Sequence, residues 1–472
     1  MRTKDLIEKR KRRERKHMRS QKNNTVKQQV VETSVKEKYV LPADFPEEVL
    51  AELKHLPRFI SSEEILRRRD MRDILTFTID PEDAKDFDDA LSFATLDNGN
   101  YQIGIHIADV THYVPEGSAV DEEAYQRGTS IYLVDRVIPM LPERLCNELC
   151  SLRPHEDKAC MSVIVEMDAH AKVVRHKICR TVICSDYRLT YQQAQQYIEG
   201  NITDSTHDSE NLSHVLPLLN KLAQQLRSKR FERGAINFET PEVRFRLDDD
   251  GNPIEILFRQ LTDANHLIEE FMLLANRIVA KEIGAKAKND HESSQPDKPF
   301  VYRIHDVPDP EKIAKLGTFI RQLGFQLRTS SKRSVQNKHI NSLLDSCQGT
   351  NSQTLIETLT IRSMSKAVYS TSNIGHYGLA FPYYTHFTSP IRRYPDMMVH
   401  RLLSKYLLQS KAPCRHDKEV LEEACVHCSD TEQMAHMAER DSAKEMQDRG
   451  ISQQLGETFE GVISGVTEFG LF

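Results

Sequence analysis

Apolar residues follow two rhythms along this chain, and the change between them divides it. From Ile74 to about Ser185 the rhythm is that of strands. Residues 74–79 form a short apolar run ending at Asp80, as a buried strand would. Tyr101, Ile103, Ile105 and Ile107 alternate onto one face, and Asp97-Asn98-Gly99-Asn100 supplies the turn that joins them to residues 91–96 as a hairpin. A second hairpin is predicted over 161–166 and 173–185. Spacings of three and four then take over. Residues 215–227 and 264–286 read as helices, the second carrying Leu267, Phe271, Leu274 and Ile278 on one face. A helix from Pro390 to Leu408 and a charged one over 420–454 follow. Ahead of the strands, Val49, Leu50, Leu53 and Leu56 mark a helix stopped by Pro57, and a second opens on the capping-box pattern Ser61-x-x-Glu64. The pattern predicts an α+β unit, strand-rich in its first half and helix-rich in its second.

The same reading gives boundaries. Residues 1–40 are polar, lack periodicity and are expected to be a disordered leader. Residues 41–75 read as a helical linker, and 76–455 as the main unit. From 456 to 472 strand-like alternation returns, as if a further β domain were starting.

Length and composition narrow the function classes. The chain has 472 residues, 39% of them hydrophobic and 28% charged, which suits a soluble protein of about two or three domains. No apolar run reaches the roughly 20 residues needed to span a bilayer, and the charged amino terminus is no secretory signal. A membrane partner is therefore not expected. The nine cysteines show no framework spacing, so a reducing, cytoplasmic setting is expected. Cys425-x-x-Cys428, inside a helical stretch, reads as structural. Net charge is −6, yet residues 1–24 hold eleven Lys/Arg against three Asp/Glu. That leader is either a basic arm for a polyanion or a solvated segment.

The chemistry concentrates at Asp80, Asp86, Asp88 and Asp89, with Glu82 and Asp83 between them. Carboxylates packed so closely repel one another unless a cation neutralises them. An EF-hand is excluded, because neither Asp80 nor Asp86 as the first position puts Gly at six and Glu at twelve. A hard cation such as magnesium, which takes carboxylates together with substrate phosphates, fits the donor set. The bland alternative is a solvated acidic loop. A second constellation runs from Tyr383 to Arg401 and contains Ser389-Pro390-Ile391-Arg392-Arg393. Ser389 reads as the N-cap of a helix beginning at Pro390, whose free N–H groups would face a phosphate. Arg392 and Arg393 suit bidentate contact with phosphate oxygens, unless they pair with acids of their own helix.

Together the acidic stretch and the run from His386 to Asp396 resemble the ribonuclease II superfamily of RNB exoribonucleases, nearest its ribonuclease R branch. The runs 104–113, 127–143, 233–239, 268–276 and 438–441 resemble it as well, so the likeness covers about 41–472. It implies an RNB catalytic domain followed by the start of an S1 barrel. The implied protein is a monomeric 3′→5′ exoribonuclease that degrades single-stranded RNA to nucleoside 5′-monophosphates. The aspartates at 80, 86, 88 and 89 would hold Mg2+, with Asp88 most critical, and Arg392 would stabilise charge on the phosphate. Tyr132 and Phe238 would stack on bases, Glu270 would contact a sugar, and Glu439 would be an active-site glutamate. Without the resemblance, Tyr132 and Phe238 would read as core residues. An RNA-binding relative that has lost catalysis is the alternative. His106 and His112 read as structural. The family's cold-shock domains cannot be encoded in 1–40, and only the first S1 strands would fit in 456–472.

Overall fold

Seven strands form the sheet on which everything else is built. They are β1 (Arg69–Asp70), β2 (Thr76–Asp80), β3 (Asp89–Thr95), β4 (Tyr101–Ala108), β7 (Asp157–Met167), β8 (Val173–Cys184) and β9 (Tyr187–Thr190). A separate short hairpin is made by β5 (Ile131–Tyr132) and β6 (Val137–Ile138). In the sheet the order is β1-β8-β7-β4-β3-β2-β9. All neighbours run antiparallel except β1 with β8 and β2 with β9. This computed structural model describes residues 38–39, 41–42, 44–201, 207–238, 242–248, 251–289, 298–328, 336–408 and 415–452, and a few positions beyond. Residues 1–37 of the basic leader lie outside the described residues. Most of 456–472 does too, apart from a hairpin of Val466–Thr467 with Gly470–Leu471.

Both predicted hairpins are present, as β3–β4 and β7–β8. Ile103, Ile105 and Ile107 point into the core. The opposite face of β4 carries fully buried His106, bonded to Ser92 at 2.8 Å and Ser162 at 2.7 Å. Ser162 in turn meets Thr181 at 2.6 Å, so one polar chain crosses four strands. Gly104 is required beside it, because a Cβ there would lie 2.3 Å from the Ser92 hydroxyl oxygen. Burial holds His106 neutral, its pKa pushed down to about 3. The histidine is structural.

Helices cover the sheet from residue 191 onward. In Asp263–Asn289 the four residues predicted to share a face, Leu267, Phe271, Leu274 and Ile278, are all buried in the main core. Three helices, Pro310–Gln322, Asn337–Cys347 and Gln353–Ser363, enclose a second, smaller core around Ile313, Ile320 and Ile340. The long helix Arg415–Ser452 buries Cys425 and Cys428 as free thiols. Among the described residues no helix is long and apolar enough to cross a membrane.

Local readings change where long-range partners intervene. Segment 41–75 contributes Val49, Leu53 and Met71 to the main core, and β1 to the sheet. Its second helix is only Ser62–Arg67. Ser61 caps it by accepting from Glu64 N at 3.2 Å. Glu64 does not complete the predicted box, because its carboxylate accepts from Arg68 Nε at 2.8 Å. The helix expected from Pro390 begins only at Tyr394, with Arg393 as N-cap. The reading of Ser389 as the cap is thus corrected. Its α-helical part ends at Leu403, and a π-helical turn, Ser404–Leu408, follows.

Candidate active site

The acidic residues occupy the excursion between β2 and β3. Asp80 ends β2 and Asp89 begins β3, and the register pairing Phe77 with Leu91 brings both to one end of the sheet. Pro81 keeps Asp80 extended. Two residues that sequence reasoning missed hold the intervening loop. Arg188 Nη2 donates to the carbonyls of Pro81 at 2.7 Å and Glu82 at 2.8 Å, and its guanidinium lies over the Phe87 ring. Ser151 donates to Lys85 O at 2.7 Å and accepts from Phe87 N at 3.0 Å. Neither has a local signature in the sequence. With Phe87 and Asp88 buried, the loop is held in place, and only Glu82, Asp83 and Lys85 within it are exposed.

Asp88 is 6% exposed and accepts from Ile391 N at 2.9 Å. The N–H expected to face a phosphate is therefore turned to the carboxylate. Arg392 Nε stands 3.7 Å from the other Asp88 oxygen. Its side chain is 42% exposed and braced by Ser389 Oγ at 3.0 Å. Burial pushes all four aspartates upward in pKa: Asp80 to about 7, with repulsion from Asp88 and Asp86 adding to the shift, and Asp89 to about 8, with repulsion from Asp80 adding to it. Asp86 is raised, and Asp88 well above its ordinary value, although Arg392 opposes both shifts. Asp80 Oδ2 is buried without a hydrogen-bond partner. Such a group is costly unless something cationic meets it.

This donor set suits a hard divalent cation. Among the described residues no three His, Cys, Asp or Glu groups converge into a ready-made cage. Magnesium does not demand one, since it commonly keeps several waters and takes one or two carboxylates plus substrate phosphates.

Arg393, expected on phosphate, is instead turned inward. It pairs with Asp396 at 2.9 Å, and Asp396 also accepts from Ser389 N at 2.7 Å. Its role is to shape the loop that presents Arg392. Tyr132, on β5, is 41% exposed, and its phenol feels the charges of Arg392, Asp86 and Asp88. Ser130 N and Thr129 Oγ1 both donate to Arg392 O at 3.0 Å, tying β5 to the arginine loop. Glu439 reaches the same strand, accepting from Tyr132 N at 2.9 Å. The charges acting most on the four aspartates come from one another, Arg392 and Arg188. Glu270 is 3% exposed and is held by Arg230 at 3.0 Å and 2.5 Å, and burial raises its pKa. It lies on the helix whose Asn276 braces the other loop by accepting from Phe387 N at 2.8 Å. Phe238 packs, half-buried, against the second core. The structure thus gathers the aspartates, Arg392 and Tyr132 at one place, with Glu439 behind Tyr132. Arg393, Glu270 and Phe238 have partners of their own.

The fold is that of an RNB domain, and similarity to known proteins agrees. The RNB domain profile matches residues 68–409, and the chain belongs to the RNB-domain family. It is 43% identical over 436 residues to ribonuclease R of Thermotoga maritima, covering 91% of this chain but 59% of that relative's length. The structure of Mycoplasma genitalium RNase R in complex with ribose-methylated single-stranded RNA superposes with a TM-score of 0.84 at 28% identity. That match covers 93% of this chain and 67% of the other. Yeast Ssd1, described as a pseudonuclease, shares the fold with a TM-score of 0.64 at 22% identity over 82% of this chain and 46% of its own.

Proposed function

We propose that this chain is a magnesium-dependent 3′→5′ exoribonuclease that hydrolyses single-stranded RNA to nucleoside 5′-monophosphates. The observation that carries the reading is the gathering of buried Asp88 with partly buried Asp80, Asp86 and Asp89, which repel one another, beside the exposed Arg392. Asp80, Asp86, Asp88 and Asp89 would hold the magnesium, which when bound supplies Lewis acidity toward water and a phosphate oxygen. Arg392 would present fixed positive charge where the cleaved phosphate gains negative charge. Fixing Asp88 through Ile391 N, one residue before Arg392, keeps carboxylate and guanidinium in register. Tyr132 would stack on a base without regard to its identity, a contact worth about 1–3 kcal/mol. Direction and product are drawn from the likeness to ribonuclease R. So are a monomeric state and an S1 start at 456, while a cytoplasmic setting is drawn from the cysteines, which lack framework spacing.

An RNA-binding relative without catalysis is the competing reading, since the fold also serves a pseudonuclease. The complete set of aspartates with Arg392 favours the enzyme. Release of mononucleotides from end-labelled single-stranded RNA, with magnesium or with chelator, decides between them. We expect release only with magnesium, and a loss of at least about 10³-fold in Asp88→Asn. RNA binding should persist in that variant, because one repelling charge is gone. Equal activity of Asp88→Asn and the unaltered chain would reject the enzyme reading.

A further inference from the structure

We infer that Glu439 is a positioning residue that sets where the Tyr132 ring stands relative to Asp88 and Arg392, without touching the reacting phosphate. The inference rests on the proposed nuclease reading only for what the ring meets; the geometry is independent of it. One edge of β5 is satisfied by β6, through Ile131↔Ile138, Tyr132↔Val137 and a bond from Leu133 N to Arg136 O at 2.9 Å. The other edge would be left open. Alternate N–H groups along an extended strand point the same way, and those of residues 130, 132 and 134 are taken in turn. Ser130 N goes to Arg392 O at 3.0 Å, Tyr132 N to Glu439 Oε1 at 2.9 Å and Val134 N to Ser442 Oγ at 3.2 Å. Two side chains of the helix Arg415–Ser452 therefore stand in for a missing neighbour strand.

Alternation fixes the ring as well. Ile131 and Leu133 are buried against Ala435 and Ala438 of that helix, so Tyr132 between them is turned the opposite way, toward the acidic site. Its backbone is held on one edge by β6 and on the other by Glu439, next to the bond from Ser130 to the loop of Arg392. The carboxylate is itself oriented, since its second oxygen lies 3.4 Å from His436 Nδ1. The helix is anchored just beyond, where Asp441 accepts from Tyr39 and Lys38. Removing the Glu439 oxygen would leave the Tyr132 N–H unpaired at the centre of that edge, between the bonds made by Ser130 and Val134, and loosen the strand where the ring is attached.

The test uses the full chain and a single-stranded RNA carrying 2-aminopurine at its 3′ end. In chelator no cleavage competes, and fluorescence quenching reports stacking. Glu439→Ala should lose at least half of the quench. With magnesium it should raise KM about tenfold, the worth of one hydrogen bond to a positioned group, while kcat stays within about twofold. Glu439→Gln, which keeps an accepting oxygen, should restore the quench. Ser442→Ala, which loosens the strand beyond the ring, should leave it intact. Tyr132→Ala with Glu439→Ala should be no worse than Tyr132→Ala alone. The inference is overturned if Glu439→Ala leaves the quench unchanged, or if Ser442→Ala matches it. A kcat loss in Glu439→Gln equal to that of Glu439→Ala also overturns it, because the charge would then serve the chemistry. Absence of quenching in the unaltered chain overturns it too, while magnesium-dependent release would still uphold the nuclease reading.

Discussion

Asp88 and Asp109 lie near one another in the chain, both carboxylates are buried, and they are treated in opposite ways. Burial alone would raise Asp109 too. Arg68, at 2.8 Å and wholly buried with it, and Arg180, at 3.7 Å, overcome that and hold its pKa down at about 2. Asp88 is given one backbone N–H and a single arginine at 3.7 Å that is half in solvent, and its pKa stays well above the ordinary range. The fold therefore neutralises a buried carboxylate fully where the role is structural. At the acidic loop it leaves the negative charge incompletely matched. That difference separates an acidic site whose charge the protein leaves unmatched from a buried salt bridge.

Three experiments would sharpen or break this contrast. The largest effect is expected at the matched pair. Arg68→Met strands the Asp109 charge and should cost about 3–5 kcal/mol in a denaturant titration; a cost below about 1 kcal/mol would mean that Asp109 is not held as described. Next comes Arg392→Ala, where the contrast predicts a split. Stability should change by less than about 1 kcal/mol, since Arg392 is half in solvent and stands a loose 3.7 Å from the buried Asp88 carboxylate. RNA hydrolysis should fall about 10²–10³-fold, and matched losses of stability and activity would erase the distinction. The smallest effect is in the pH dependence of the chelated protein. Asp80 and Asp89 have folded pKa values raised above the unfolded ones, so their contribution to stability is greatest below about pH 4. It is lost as pH rises toward about 8. Thermal melts of the unaltered chain and of Asp89→Asn should therefore diverge from pH 5 to 8, and magnesium should narrow the gap. Buried neutral histidines such as His106, whose stabilising effect grows over the same range, act equally in both. Asp89→Asn should recover at least about 1 kcal/mol at pH 8; a decline identical in that variant would exclude Asp89 as its source.

Both hairpins, the core face of the helix Asp263–Asn289 and the structural character of His106 were legible because each depends on local periodicity or on burial within one strand. The acidic cluster was legible from charge density alone. Ser151 and Arg188 were not, because a serine and an arginine far along the chain announce nothing about the carbonyls they will meet. Arg392 and Arg393 show the limit most plainly. They are adjacent and chemically identical, yet one faces the site and the other is buried on Asp396.

By itself the sequence determined which residues carry the charge, where strands give way to helices, and that negative charge is crowded between Asp80 and Asp89. Tertiary structure alone decided which cation each carboxylate meets, where the helix after Pro390 begins, and that Glu439 holds a backbone. The reason is range. Periodicity and like-charge repulsion act over a few residues, whereas desolvation and ion pairing are set by partners that only folding brings together.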